Sequence, residues 1–237
     1  MLGHMAMTGE KGWKTVLDSR EVLGLPLVRA LVPGVEGRHE KRRARRVERA
    51  ARRLREAGVR RVLAGPGFPY WEQLEAQGLR GVDPEPMCQA MAAELALAAL
   101  ARDGRPPEQA VVALRGGRVS RPLFQAAVAL CPRVRGVEVC VPGGGAELAD
   151  HLRREYGLPV LERERPDLVL EFSPVQAGAG DDRTMALYGP SPRLLGLTLR
   201  PAMPIPGGFA PLPLTAALWE MGLLSQPPAI VPEGEER

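Results

Sequence analysis

Aromatic residues make up only 4% of the 237-residue chain, and lysine occurs only at Lys11, Lys14 and Lys41. The first scarcity excludes a core built on rings and leaves Leu, Val and Ala to fill it. The second hands the positive charge to arginine. Arg, Ala, Gly and Pro enrichment together look like GC-rich coding bias, so part of the arginine content carries no functional message. Three cysteines (Cys88, Cys131, Cys140) form no C-x-x-C pair. An odd count without that spacing argues against a disulfide frame and fits buried thiols in a reducing compartment. No Cys/His cluster has ligand spacing, so no metal is assigned. No apolar run reaches the ~18 residues that a membrane span needs. The opening MLGHMAMTGEKG has neither a basic start nor an apolar signal core. These absences together lead us to expect a cytoplasmic protein without a membrane segment.

What is present is ordinary for a globular protein: 45% hydrophobic and 25% charged residues, with a net charge of +4. The length suffices for one large domain or two small ones. Residues 1–12 read as a flexible lead-in. Trp13–Asp18 and Leu25–Val32 are strand candidates, the second weakened by Pro26 or placed by it at an edge. Val59–Gly65 reads as a third strand, Tyr70–Gln77 as a short helix, and the Ala- and Leu-rich run from Asp83 to Arg102 as a buried helix. Gly104–Pro107 is a candidate boundary between an N-terminal half, 13–104, and a C-terminal half, 108–224.

From Ala110 to Pro174 short Val- and Leu-rich runs alternate with helix-period segments, and glycines stand where runs turn into helices. Strands are expected at Ala110–Leu114, Val137–Val141, Pro159–Glu162 and Leu168–Phe172, with helices at Arg121–Leu130 and Ala146–Tyr156. This pattern predicts an α/β fold with a doubly wound, mainly parallel sheet and helices on both faces, Rossmann-like in character. Beyond Pro174 a loop at 176–182, edge strands at Met185–Tyr188 and Leu194–Leu199 in antiparallel pairing, a helix at Leu214–Leu224 and a disordered tail at 225–237 complete the expectation.

In such sheets ligands sit at the carboxyl ends of the strands. The turn LRGGRVSRP there offers Gly116, Gly117 and Ser120 with Arg115, Arg118 and Arg121. It is either an anion cradle opening a helix or a tight strand-to-helix turn. The turn VPGGGAEL offers Gly143, Gly144 and Gly145, which either approach a phosphate or simply tolerate a mobile bend. Neither completes a G-x-G-x-x-G, and Val141-Pro142 stand where an acidic ribose ligand belongs. The turn LAGPGFPYW, stiffened by Pro66 and Pro69, reads as a rigid packing loop. No Ser/His/Asp order or carboxylate pair marks a catalytic centre, so the catalytic residues are unknown. His39 and His151 read as isolated surface histidines, His4 falls in the lead-in, and Asp18, Arg20 and Arg200 follow strand candidates.

The order strand–GG–helix–strand–GGG–helix–strand, ending in PDLVLEFSP, resembles the NAD(P)-binding half of shikimate dehydrogenase and glutamyl-tRNA reductase type proteins. Gly116, Gly117, Asp167, Val169, Ser173 and Pro174 carry the resemblance, which covers about a quarter of the chain. It implies a nucleotide or phosphorylated small molecule at Gly116, Gly117, Ser120, Gly143, Gly144, Gly145 and Ser173, with NAD or NADP as cofactor, in an oxidoreductase or a non-catalytic relative.

A separate feature is the run from Arg38 to Arg61, with twelve Lys or Arg against three acids. Ala44, Val47, Ala51 and Leu54 give it one apolar stripe. The basic side is either a solvated helix face or a docking face for nucleic acid or an acidic protein, through Arg42, Arg45, Arg46, Arg49 and Arg53.

Overall fold

The computed structural model describes residues 1–9, 15–34, 40–157, 165–174 and 182–234. The strand expected at 159–162, His39 and most of the loop at 176–182 lie outside them. The first elements are β1 (Leu2–Thr8), β2 (Val16–Val22), β3 (Leu25–Pro33), α1 (Glu40–Glu56), β4 (Arg61–Ala64), α2 (Trp71–Glu75) and β5 (Arg80–Gly81). Next come α3 (Glu85–Ala90), α4 (Ala92–Arg102), β6 (Val111–Arg115), α5 (Arg121–Leu130), β7 (Gly136–Cys140) and α6 (Gly145–Tyr156). The chain continues through β8 (Leu168–Glu171), β9 (Thr184–Ala186), β10 (Leu197–Arg200), α7 (Pro211–Glu220) and β11 (Ala229–Pro232). The protein is thus α/β.

Two compact units divide it. The first takes Met1–Asp83 and Arg200–Ala229, the second Pro84–Leu199 and the chain from Ile230. The break precedes α3 and α4 rather than following them at Gly104–Pro107. Those helices pack within the second unit, α4 on α5 and β8 and α3 on α5.

The first unit is built on a five-stranded sheet of order β2-β3-β1-β4-β5. β1 lies at its centre, parallel to β3 and β4. The expected flexible lead-in therefore does not hold for Leu2–Thr8. Leu2, Gly3, His4 and Met5 are all buried, so LGHMAMT shows no polar alternation to read. β3 is internal as well, because β2 folds back on it antiparallel through a tight turn at Leu23-Gly24. Pro26 is tolerated near the start of the strand, where it is exposed.

One face of this sheet carries α1. Val47, Ala50, Ala51 and Leu54 are fully buried, in one cluster with Met5, Ala30 and Val62. Alanines at two of the four contact positions let the helix lie close. Full burial of a leucine such as Leu54 contributes roughly 2–3 kcal/mol. Gly58 ends the helix in the left-handed region, and the Val59 amide closes on the Leu54 carbonyl.

The second unit holds a four-stranded, wholly parallel sheet of order β7-β6-β8-β9. β9 joins it parallel to β8 rather than antiparallel as expected. β6 is central and Val111–Leu114 are buried. The single helix expected from Asp83 to Arg102 is broken at Met91 into α3 and α4. β10 and β11 form a separate two-stranded sheet, so part of the expected tail, Ala229–Pro232, is a strand.

Candidate functional site

All four strands of the second unit's sheet run the same way, so the turns after β6, β7 and β8 open on one rim. The chain goes from β6 to its neighbour β7, then returns past β6 to β8. Strand order therefore reverses between β6 and β8, the position at which open parallel sheets bind ligands. Gly116 and Gly117 follow β6 there, and Ser173 follows β8.

These residues touch. The Gly117 amide donates to Ser173 Oγ at 3.0 Å. The β7 turn is joined to the same group: the Gly143 amide donates to the Gly117 carbonyl at 3.3 Å, and the Val119 amide to the Gly143 carbonyl at 2.8 Å. An isolated parallel bridge between Arg118 and Gly143 extends the ladder past the strand ends. Gly144 and Gly145 open α6, whose first intrahelical bond runs from the Leu148 amide to the Gly144 carbonyl. The amides of Gly145, Ala146 and Glu147 precede that bond and have no intrahelical acceptor. Glu147 brings a carboxylate to the same turn.

The glycines also have local causes. A β-carbon on Gly143 would lie 3.2 Å from both Arg118 Cβ and the Gly117 carbonyl oxygen. One on Gly145 would lie 3.2 Å from Val141 Cβ. Gly144 has φ +80°, a conformation that other residues adopt at a penalty. Ser120 caps α5, with its Oγ accepting the Leu123 amide at 3.4 Å. Its hydroxyl is thus occupied in the helix start. Gly117, Arg118, Arg121, Gly143 and Gly144 remain exposed on the rim, with Arg115 half-buried beside them.

Asp167 stands at the other end of the strands. Its carboxylate accepts the Val111 amide at 2.8 Å and pairs with Arg105 at 2.6 Å. The Asp167 amide in turn donates to the Val111 carbonyl.

Two of the three thiols are held away from the thiolate form. Burial pushes Cys131 up to about 11, and burial followed by the neighbouring Glu138 does the same for Cys140. Among the described residues no three His, Cys, Asp or Glu are grouped to hold a metal. His151 lies beside the Phe124 ring at 5.6 Å. No helix among them is long and apolar enough to cross a membrane.

The first unit brings Asp18 together with Arg29 and His4, a grouping that their sequence positions did not announce. On the sheet face opposite α1, strand register aligns Asp18, Arg29 and His4 across β2, β3 and β1. Arg29 grips Asp18 through Nε at 2.9 Å and through Nη2. That bond holds the Asp18 carboxyl below the usual carboxylate range. His4 Nε2 bonds to the Gly208 carbonyl at 3.0 Å, and its ring stacks on Phe209 at 3.9 Å. Burial lowers its pKa despite that bond, with Arg29 and Arg20 acting the same way. Read as part of a loose lead-in, His4 carried no signal; only the pairing of β1 reveals its neighbours.

A scan of protein-family models finds no match to the chain, and a search of curated proteins finds no significant match either.

Proposed function

We propose that the second unit is a Rossmann-like, doubly wound module that binds a nucleotide or another phosphorylated small molecule at the carboxyl ends of β6, β7 and β8. One observation carries the reading: both glycine turns and Ser173 meet at one rim, where strand order reverses. The amides opening α6, which have no intrahelical acceptor, and the guanidiniums of Arg115, Arg118 and Arg121 suit an anion there. The resemblance to NAD(P)-binding halves favours NAD or NADP. No catalytic role is assigned to the Glu147 carboxylate at the turn, so the reading covers both a nicotinamide-dependent oxidoreductase and a relative that binds without chemistry. Free thiols suit a cytoplasmic setting.

Thermal-shift titration with NAD, NADP, ATP and S-adenosylmethionine tests it. A ligand at about 100 times its Kd stabilises by roughly 2.7 kcal/mol. At least one of the four should raise the melting temperature, and a flat response to all of them removes the proposal.

A second reading rests on α1. Arg42, Arg45, Arg49, Arg52 and Arg53 are exposed along its outer side, and among the described residues Arg52 approaches Glu48 at 3.9 Å. Arg46 is partly tied down by the Pro33 carbonyl at 2.8 Å. Such a stripe suits a phosphate backbone or an acidic protein. Retention on heparin and RNA should then fall steeply with salt. Replacing Arg42, Arg45, Arg46, Arg49 and Arg53 with Gln should abolish it at a stability cost of about 1–2 kcal/mol, since the replacement also removes the bonds from Arg46 to the Pro33 carbonyl and from Arg53 to the Thr15 carbonyl. Retention that survives the replacement assigns it to another surface.

A further inference from the structure

The charged row of the first unit floors a cavity of about 490 Å³. That is within the range of small-molecule sites. His4, Arg20 and Arg29 line it from the sheet, Leu27 adds an apolar patch, and Gly208 and Phe209 close it. The closing segment is pinned at two points, by the His4–Gly208 bond and by the Ala210 amide on the Ala64 carbonyl. The space is therefore preformed.

Its charges are uneven in kind. Arg29 spends its Nε and Nη2 edge on Asp18, which leaves Nη1 to face other acceptors. Arg20, two residues along the strand from Asp18, points to the same face, while Glu21 stands at the rim. Asp18 and Glu21 together balance the two guanidiniums, so no excess positive charge is on hand for a doubly charged phosphate, and the site offers an anion directed donors, which a single carboxylate suits best. His4 turns its Nε2 to the Gly208 carbonyl, and burial lowers its pKa.

The surroundings call for an apolar body. A second cavity of about 590 Å³ adjoins the first, sharing Arg20, Glu21 and Leu27. It is lined by Met1, Leu25 and Met221 as well, and Met1 and Met221 are 75% and 52% exposed. The mouth of this second cavity is thus apolar on the sides of Met1 and Met221. The turn between β2 and β3 points the same way. Both central residues of this tight hairpin have positive φ, a place for Asn-Gly, yet Leu23 occupies the first at φ +52°. A leucine there is strained, and its side chain lines the polar cavity.

We propose that this double cavity of the first unit binds an acyl monocarboxylate, with the carboxylate on Arg20 and Arg29 and the chain running over Leu27 between Leu23 and Met221. The site is independent of the rim in the second unit. Calorimetry on the full chain with octanoate, octanamide and inorganic phosphate tests it. Octanoate should bind, and octanamide and phosphate should bind at least about tenfold more weakly, the margin a charge-assisted contact supplies. Arg20→Gln should weaken octanoate about tenfold without moving the melting temperature. Arg29→Gln should weaken it as well, even if releasing Asp18 lowers stability. Leu23→Asn should raise the melting temperature by relieving the turn and still weaken octanoate, which a purely structural role for Leu23 does not predict. The proposal is overturned if octanoate at about 1 mM gives neither heat at two temperatures nor a rise in melting temperature. It is equally overturned if octanamide or phosphate binds as well as octanoate, or if Arg20→Gln leaves octanoate affinity unchanged.

Discussion

A Gly143→Val variant should lose about 2–3 kcal/mol of stability, and with it any ligand held at the rim of the second unit. The β-carbon alone would sit 3.2 Å from Arg118 Cβ and from the Gly117 carbonyl oxygen. Backbone atoms cannot swing aside as a flexible side chain does, so the two turns must separate. Separation breaks the Gly143–Gly117 and Val119–Gly143 bonds together, and the Gly117–Ser173 contact is then free to drift. Gly144→Ala is the control. It meets only Val119 side-chain atoms at 3.5 Å and beyond, and its penalty comes from the left-handed backbone, about 1 kcal/mol. Amide hydrogen exchange distinguishes the two. Protection in β6 and β7 should fall sharply for Gly143→Val and only slightly for Gly144→Ala, while β1 and β3 keep theirs. Equal losses for the two variants would mean that the zipper between the turns is unimportant.

The physics behind Gly143 shows what the sequence made legible and what it hid. Periodicity located β6, α5, β7, α6 and β8 closely, because each is short, buried on a regular period and ended by glycine or proline. The glycine turns were visible as turns. Their joining was not, since the Arg118–Gly143 bridge depends on strands meeting through space. Ser120 read as a ligand-binding residue, but its Oγ accepts the Leu123 amide at the start of α5. His4 was hidden for another reason. A central strand covered on both faces loses the polar alternation that announces strands, and the first residues of a chain are ordinarily its loosest. The β9 pairing failed for want of any local cue, because three residues such as Thr184–Ala186 carry no direction. Met91, where the long helix breaks into α3 and α4, likewise has no glycine or proline to mark it.

Asp167 carries the other large effect, and it bears on how the resemblance should be weighed. It is one of the residues that carry the resemblance, yet it lies at the amino ends of β6 and β8, away from the glycine rim. Its carboxylate is 13% exposed, accepts the Val111 amide and faces Arg105. Asp167→Ala should therefore lose about 2–3 kcal/mol, most of it from stranding the buried Val111 amide without an acceptor. The ion pair adds less, since Arg105 is 45% exposed and solvent screens it. Asp167→Asn keeps an oxygen for the amide and gives up only the charge, so it should lose about 1 kcal/mol or less. Urea unfolding at low and high salt separates the contributions. The Ala variant's deficit should persist in high salt, whereas the Asn variant's should shrink toward zero as the pair is screened in the wild type. Ligand binding at the opposite rim should survive both changes wherever the protein is folded. If Asn proves as damaging as Ala, the charge on Arg105 rather than the amide bond holds these strand ends together, and the aspartate of the motif is an electrostatic clamp.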